Sequence, residues 1–129
     1  VANFLRGISS LGRNSTDYGV AFEHFIAMEL RSYISYRRLK KDLAFWRTQS
    51  GMEVDFVVGS ELAVEVKATS RVTDRDLRGL RALAEEQLIR SLILVSFEEL
   101  DRTTDDGIRV LFWRTFLDEL WSDRLCRSN

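Results

Sequence analysis

Apolar residues recur mostly at steps of three and four between about Asp17 and Arg37, which predicts an amphipathic helix. The apolar positions are Val20, Phe22, Phe25, Ile26, Leu30, Tyr33 and Ile34. Residues 7–16 before them are rich in Gly, Ser, Asn and Thr. We therefore expect a loop that leads into the helix, with Thr16 or Asp17 as its N-terminal cap.

β-Branched and aromatic residues cluster in three short runs after this helix, which is typical of strands. The runs are LAFWRT at 43–48, EVDFVV at 53–58 and LAVEVK at 62–67. Gly59 and Ser60 separate the last two runs. This pattern predicts a hairpin.

The second half of the chain continues the alternation of helices and strands. A stripe of leucines predicts a helix from about Asp74 to Gln87, and the unbroken apolar run at 91–97 indicates a buried strand. A polar loop, a strand at 108–113 and a final amphipathic helix follow. We expect a mixed α/β or α+β fold, with a central sheet flanked by helices. The chain fits one domain, residues 1–129.

Composition excludes several classes of protein. The net charge of −1 gives no strong positive field, so nucleic-acid binding would need a local patch. The single cysteine, Cys126, cannot form an internal disulfide, which indicates a cytoplasmic protein. Apolar runs are too short to cross a membrane, and the first residues resemble no signal peptide. Because the chain starts with Val1, we expect it to be part of a longer polypeptide.

Three ionisable residues lie inside the predicted hairpin: Asp55, Glu65 and Lys67. Side chains alternate along a strand, so Glu65 and Lys67 share one side. A loop of three or five residues would place Asp55 directly across from Glu65, whereas a two-residue loop would not. Opposed carboxylates repel each other, and we expect a cation between them.

Carboxylate oxygens in such a pair favour a hard divalent cation, Mg²⁺ or Mn²⁺. Glu23, on the first helix, is a further acid that can join Asp55 and Glu65 as a metal ligand if that helix packs on the sheet. Lys67 would orient a water molecule or stabilise a developing negative charge. This layout suits metal-assisted hydrolysis. The alternative is an ion-pair cluster with a structural role only.

Asp55, a gap of ten residues and the run Glu65-Val66-Lys67 resemble the motif of the PD-(D/E)XK nuclease superfamily. The predicted order of elements over residues 17–97 is similar to its restriction-endonuclease-like αβββαβ core. The resemblance implies that Asp55 and Glu65 are metal ligands, that Lys67 is the catalytic lysine and that Glu23 is an auxiliary acid. Val54 stands where the motif has proline.

Longer runs resemble one group within that superfamily, the domain found C-terminal to the ATPase module in prokaryotic AAA-type ATPases. The runs are YGVAFEHFIAMEL, FWRTQSGMEVDFVV, AVEVKAT, DLRGLRALAEE and VLFWRTFLDELW. The resemblance implies a Mg²⁺-dependent nuclease domain that acts on DNA, attached to an ATPase and able to form a homodimer. The alternative is an inactive module that binds nucleic acid or protein and regulates the ATPase. The chain has no GxxxxGK[ST] phosphate loop of its own.

Two basic regions are candidates for contact with phosphates. The candidate residues are Arg37, Arg38, Lys40, Lys41 and Arg47 in the first region and Arg71, Arg75 and Arg78 in the second. For the first region a solvated connector is the commoner explanation, and Asp74 and Asp76 reduce the field of the second. No acid–base–nucleophile arrangement surrounds His24 or Cys126, so we expect no nucleophilic site there.

Overall fold

The computed structural model describes residues 16–126, which form three α-helices and a six-stranded sheet. The helices are α1, Thr16–Tyr36; α2, Arg78–Ala84, which follows a 3-10 turn at Asp74–Leu77; and α3, Trp113–Trp121. This mixed architecture confirms the predicted fold class. None of the helices in the described part of the chain has the length and hydropathy that a membrane span requires.

The sheet is antiparallel in its first half and mainly parallel in its second. Its strands are β1, Leu43–Arg47; β2, Glu53–Val58; β3, Leu62–Val66; β4, Ser91–Ser96; β5, Arg102–Thr103; and β6, Arg109–Phe112. Their spatial order is β1-β2-β3-β4-β6-β5. Strands β1, β2 and β3 are antiparallel neighbours, β4 lies parallel to β3 and β6, and β5 is antiparallel to β6.

Helices cover both faces of the sheet, which explains why all five residues of β3 are buried. On one face, α1 and α3 pack through Phe22, Ile26 and Phe116; we call this the α1 side. On the other face, Leu80 and Leu83 of α2 pack on the sheet; we call this the α2 side. Strand β3 therefore lies at the centre of the molecule.

The structure corrects three predictions about element boundaries. The helix predicted over residues 74–87 starts as a 3-10 turn and ends at Ala84, because the exposed residues that follow offer no apolar side chain to pack. The polar loop contains the two-residue strand β5, which is too short to show a pattern. Asp17, one of the two predicted caps, lies inside α1, whereas Thr16 is the first described residue and stays a predicted cap. The rest of the predicted N-terminal loop, residues 7–15, lies outside the described residues.

Candidate active site

The hairpin between β2 and β3 has the register that places Asp55 and Glu65 side by side. Val58 pairs with Leu62 and closes a loop of three residues, 59–61. Gly59, with φ of 53°, supplies the left-handed conformation that this tight connection requires. Of the loop lengths that the sequence left open, the structure has the one of three residues. The β2–β3 ladder ends at the pair Phe56 and Val64, one position before the two acids.

Beyond the last backbone pair, the two carboxylates accept hydrogen bonds from backbone N–H groups. The N–H of Asp55 donates to Oε1 of Glu65 over 3.1 Å, and the N–H of Val66 donates to Oδ2 of Asp55 over 2.8 Å. Each side chain is therefore fixed by the neighbouring strand. The second oxygen of Glu65, Oε2, lies 3.7 Å from Nζ of Lys67. By strand alternation, Glu65 and Lys67 lie on the α2 side, like Ala63.

A β-bulge in β2 occurs at Asp55. The β1–β2 pairs on either side of the irregularity are Ala44↔Val57 and Trp46↔Val54. Phe45 alone is thus opposite both Asp55 and Phe56. The bulge changes the face on which successive residues lie, since Val54 packs on the α2 side and Phe56 packs on the α1 side. Bulges commonly re-aim a side chain beside a functional site, and this one sets the direction of Asp55.

Glu65 is only 6% exposed, and its surroundings disfavour its charged form. Burial, the negative charge of Asp55 and a hydrogen bond to Asp55 raise the pKa of Glu65 to about 8. The ammonium group of Lys67 opposes this effect without cancelling it. In the metal-free protein, Glu65 is therefore mainly protonated at neutral pH.

Glu23 joins the two strand acids from α1. Glu23 is largely exposed, but partial burial of its carboxyl group raises its pKa. The charge of Asp55, a hydrogen bond to Asp55 and the charge of Glu53 raise this pKa further, while Lys67 lowers it. Glu23 belongs to α1 on one side of the sheet, whereas Glu65 lies on the α2 side. The carboxyl groups therefore meet beyond the last backbone pair of the β2–β3 ladder. We call Glu23, Asp55 and Glu65 the acid cluster. The structure thus brings together the four residues that the sequence singled out as catalytic.

The donor set of the acid cluster fits a Mg²⁺ ion that keeps most of its water. In residues 16–126, no three His, Cys, Asp or Glu side chains surround one point closely enough to hold a metal ion as they stand. Mg²⁺ typically takes one or two carboxylates and several waters. Asp55 and Glu65 suit this requirement, because backbone N–H groups orient both carboxylates and their mutual repulsion favours a cation. The three-ligand site with Glu23 stays a prediction.

A protein-family model matches residues 18–116, and its description is "Domain of unknown function (DUF4143)". The match covers most of the chain, from α1 into α3. The chain belongs to the DUF4143 family. Comparisons with curated proteins and with solved structures give no match.

The matched part of this DUF4143 domain includes the whole acid cluster and Lys67. Because the family description assigns no function, the chemistry of the domain has to be inferred from its own residues. Cys126 offers little as a nucleophile, since burial raises the pKa of its thiol to about 11. The carboxyl groups and the lysine at the end of the hairpin are the stronger candidates.

Replacing Glu65 with glutamine should remove a pH dependence of stability in the metal-free protein. The pKa of Glu65 is about 8 in the folded protein, and its ordinary value of 4.5 applies to the unfolded chain. As pH rises, Glu65 therefore ionises in the unfolded chain before it ionises in the folded protein. The free energy of unfolding of the unmodified protein should therefore fall between these values, by about 1 kcal/mol per pH unit. Urea unfolding in EDTA at a series of pH values measures the slope.

The glutamine variant should show a nearly flat profile over the same range, and it should be the more stable protein at about pH 8. Exposed Glu99 is a matched control, because Glu99→Gln makes the same chemical change away from the acid cluster. Glu99→Gln should keep the slope of the unmodified protein. Identical slopes in all three proteins would show that Glu65 ionises normally in the folded state.

The first basic region is largely engaged within the fold. Nε of Arg37 lies 2.9 Å from Oδ1 of Asp123, and its guanidinium lies over three aromatic rings. Lys41 pairs with Glu61 over 3.7 Å, and Arg47 pairs with Glu53 over 3.0 Å. Of the residues predicted there, Arg38 and Lys40 are exposed and form no ion pair with the described residues.

The second basic region keeps its cations exposed. Arg71, Arg75 and Arg78 are exposed and have no ion pair with any residue in 16–126. Arg71 was expected on the same helical face as the other two if the helix extended that far. The helical segment starts only at Asp74, so Arg71 belongs to the preceding loop.

Sequence reasoning missed Gly79 and Glu98, which support this region. Gly79 is buried, and a Cβ atom there would overlap the carbonyl oxygen of Glu53 at the start of β2. Oε2 of Glu98 accepts a hydrogen bond of 2.6 Å from the N–H of Val72. A glycine inside a helical pattern is a signal for close packing. No pattern announces Glu98, because its role depends on contact with a distant loop.

Proposed function

We propose that this DUF4143 domain hydrolyses phosphodiester bonds of DNA with Mg²⁺ or Mn²⁺ as cofactor. The observation that carries the proposal is the pair of Asp55 and Glu65, held side by side by backbone hydrogen bonds, with Lys67 3.7 Å from Glu65. An acid pair in which one member is buried and carries a raised pKa is costly for a fold. Such cost is typical of functional sites.

Each residue of the site has a chemical role that follows from its position. When bound, the metal ion supplies Lewis-acid stabilisation of charge and lowers the pKa of its water. Asp55 and Glu65 are oriented to hold it, because each carboxylate has one oxygen fixed by a backbone N–H. Lys67 has a 40% exposed side chain, so its ammonium can contact a phosphate from solvent. Glu23 is exposed beside them and can accept a proton or bind a water.

The order of the observed elements supports the same reaction class. Helix α1, strands β1 to β3, helix α2 and strand β4 follow one another in the order αβββαβ, which the resemblance to PD-(D/E)XK nucleases implies. The resemblance also supports an attached AAA-type ATPase module in a longer chain. In that arrangement the domain would act on DNA that the ATPase engages.

A second candidate is an inactive module that binds DNA or protein and regulates the ATPase. Two observations favour it. Both strand carboxylates accept internal hydrogen bonds, and no three potential ligands within residues 16–126 converge on one point. In this case the acid pair would be a protonated structural contact, and Lys67 would be its exposed counter-charge.

Metal titration followed by a cleavage assay separates the two candidates. A nuclease should show a melting temperature that rises with added Mg²⁺ or Mn²⁺, since a ligand at about 100 times its Kd stabilises a fold by about 2.7 kcal/mol. The same protein should then cleave single- or double-stranded DNA. A thermal shift without cleavage would favour the regulatory module. If neither a thermal shift nor cleavage is observed, the nuclease proposal loses its basis.

A further inference from the structure

The two basic regions differ in how far their cations are already neutralised. Among the arginines and lysines of the first basic region, three have carboxylate partners within the fold: Arg37, Lys41 and Arg47. In the segment after β3, three exposed arginines have none among the described residues. We call Arg71, Arg75 and Arg78 the arginine row.

Carboxylates near the arginine row point to other partners. Oδ2 of Asp76 accepts hydrogen bonds from the backbone and hydroxyl of Thr73 over 3.0 and 3.3 Å. Oδ1 of Asp74 lies 3.4 Å from the guanidinium of Arg81. The two acids that would reduce the positive field of this region thus form their contacts with Thr73 and Arg81, and neither forms an ion pair with the arginine row. The arginine row keeps its charge available for a partner.

A short chain segment and one packing contact hold the arginine row close to the acid cluster. Residues 67–71 are five consecutive positions, so the Cα atoms of Lys67 and Arg71 lie at most about 14 Å apart. Gly79, next to Arg78, packs directly on Glu53 of β2, two residues before Asp55. Arg75 and Arg78 are three positions apart in a helical segment and so project to one side.

We propose that the arginine row binds the backbone phosphates of DNA next to the acid cluster, and that the connector after α1 does not. The proposal rests on the proposed function for what happens at the cluster, but binding itself can be measured without it. A DNA strand has phosphates at a regular short spacing, so several exposed guanidinium groups on one segment near Lys67 can each contact a phosphate. Guanidinium groups also suit phosphate because they donate two parallel hydrogen bonds.

Fluorescence anisotropy with a fluorescein-labelled duplex and its single strand tests this proposal in EDTA, where cleavage does not occur. The variant Arg71→Gln, Arg75→Gln, Arg78→Gln should bind about 10- to 100-fold more weakly at low salt, and the slope of log K against log salt should fall by about 2 to 3. Its melting temperature should match that of the unmodified protein, since none of the three side chains has an ion pair within the described residues.

The matched control removes three exposed cations from α1 and the connector: Arg31→Gln, Arg38→Gln, Lys40→Gln. It makes the same change in net charge and should bind within about twofold of the unmodified protein, with an unchanged salt slope. Equal losses in the two triple variants would overturn the proposal, because net charge alone would then explain binding. No measurable binding by the unmodified protein at about 50 mM salt would overturn it as well.

Two further arms separate this proposal from others. If poly-glutamate displaces the labelled DNA as effectively as unlabelled DNA does, the arginine row binds an acidic protein surface, which contradicts the proposal. Loss of binding in the row variant, with no cleavage by any protein in Mg²⁺, would support the arginine row and reject the nuclease. If the variant without the arginine row cleaves limiting DNA as fast as the unmodified protein does, the proposal about the arginine row is rejected and the nuclease proposal is kept.

Discussion

Replacing Asp55 with alanine should reduce DNA cleavage by at least about 100-fold and abolish the rise in melting temperature with Mg²⁺. Asp55 is half of the carboxylate pair, and its Oδ2 is fixed by the N–H of Val66. Without it, Glu65 remains as a single strand carboxylate beside Lys67, which neutralises it. The site then has little reason to bind a divalent cation. Initial rates on labelled DNA and thermal unfolding with and without Mg²⁺ measure both effects.

A matched control distinguishes loss of the site from a general loss of charge. Asp105 is exposed and lies in the loop between β5 and β6, so Asp105→Ala makes the same chemical change away from the acid cluster. It should keep both cleavage and the metal response. Asp55→Ala should stay folded, because the repulsion between Asp55 and Glu65 is removed along with the hydrogen bond to Val66. Full cleavage by Asp55→Ala would exclude the acid cluster as the catalytic site.

Replacing Gly79 with alanine should lower the free energy of unfolding by about 3 kcal/mol or more. The new methyl group would overlap the carbonyl oxygen of Glu53, which belongs to the backbone of β2 and cannot move without shifting the strand. Helix α2 would have to lift from the sheet, which exposes the apolar contacts of Leu80 and Leu83. Urea denaturation monitored by tryptophan fluorescence measures the change.

Gly19→Ala is a matched control for Gly79→Ala, and we expect it to change the free energy of unfolding in the opposite direction. It lies inside α1, and a Cβ atom there would have no neighbour within 4 Å among the described residues. Gly19→Ala should therefore stabilise the protein by about 0.5 to 1 kcal/mol, since alanine favours the helix. Stabilisation by both variants to a similar extent would mean that helix propensity, not contact with β2, determines the effect at position 79.

The pairing of Asp55 with Glu65 could be predicted from short-range patterns, whereas the position of Glu23 depends on how α1 packs on the sheet. Strand alternation and the three-residue loop were enough to place Asp55 beside Glu65, because a hairpin register depends on nearby residues alone. The bulge at Asp55 could not be predicted in this way. The bulge arises from the pairing of β2 with β1. Within β2 it appears as the packing of Val54 and Phe56 on opposite sides of the sheet.

The sequence by itself determined the mixed fold, the order of its longer elements and the residues of the acid cluster, since periodicity and local turns encode these features. Only the tertiary structure decided which cations are available to a partner. Arg37 and Arg71 look alike in a sequence, yet Arg37 is bound by Asp123 from the far end of the chain and Arg71 is not. Such pairings join residues far apart along the chain, and their distances follow from the packing of whole elements.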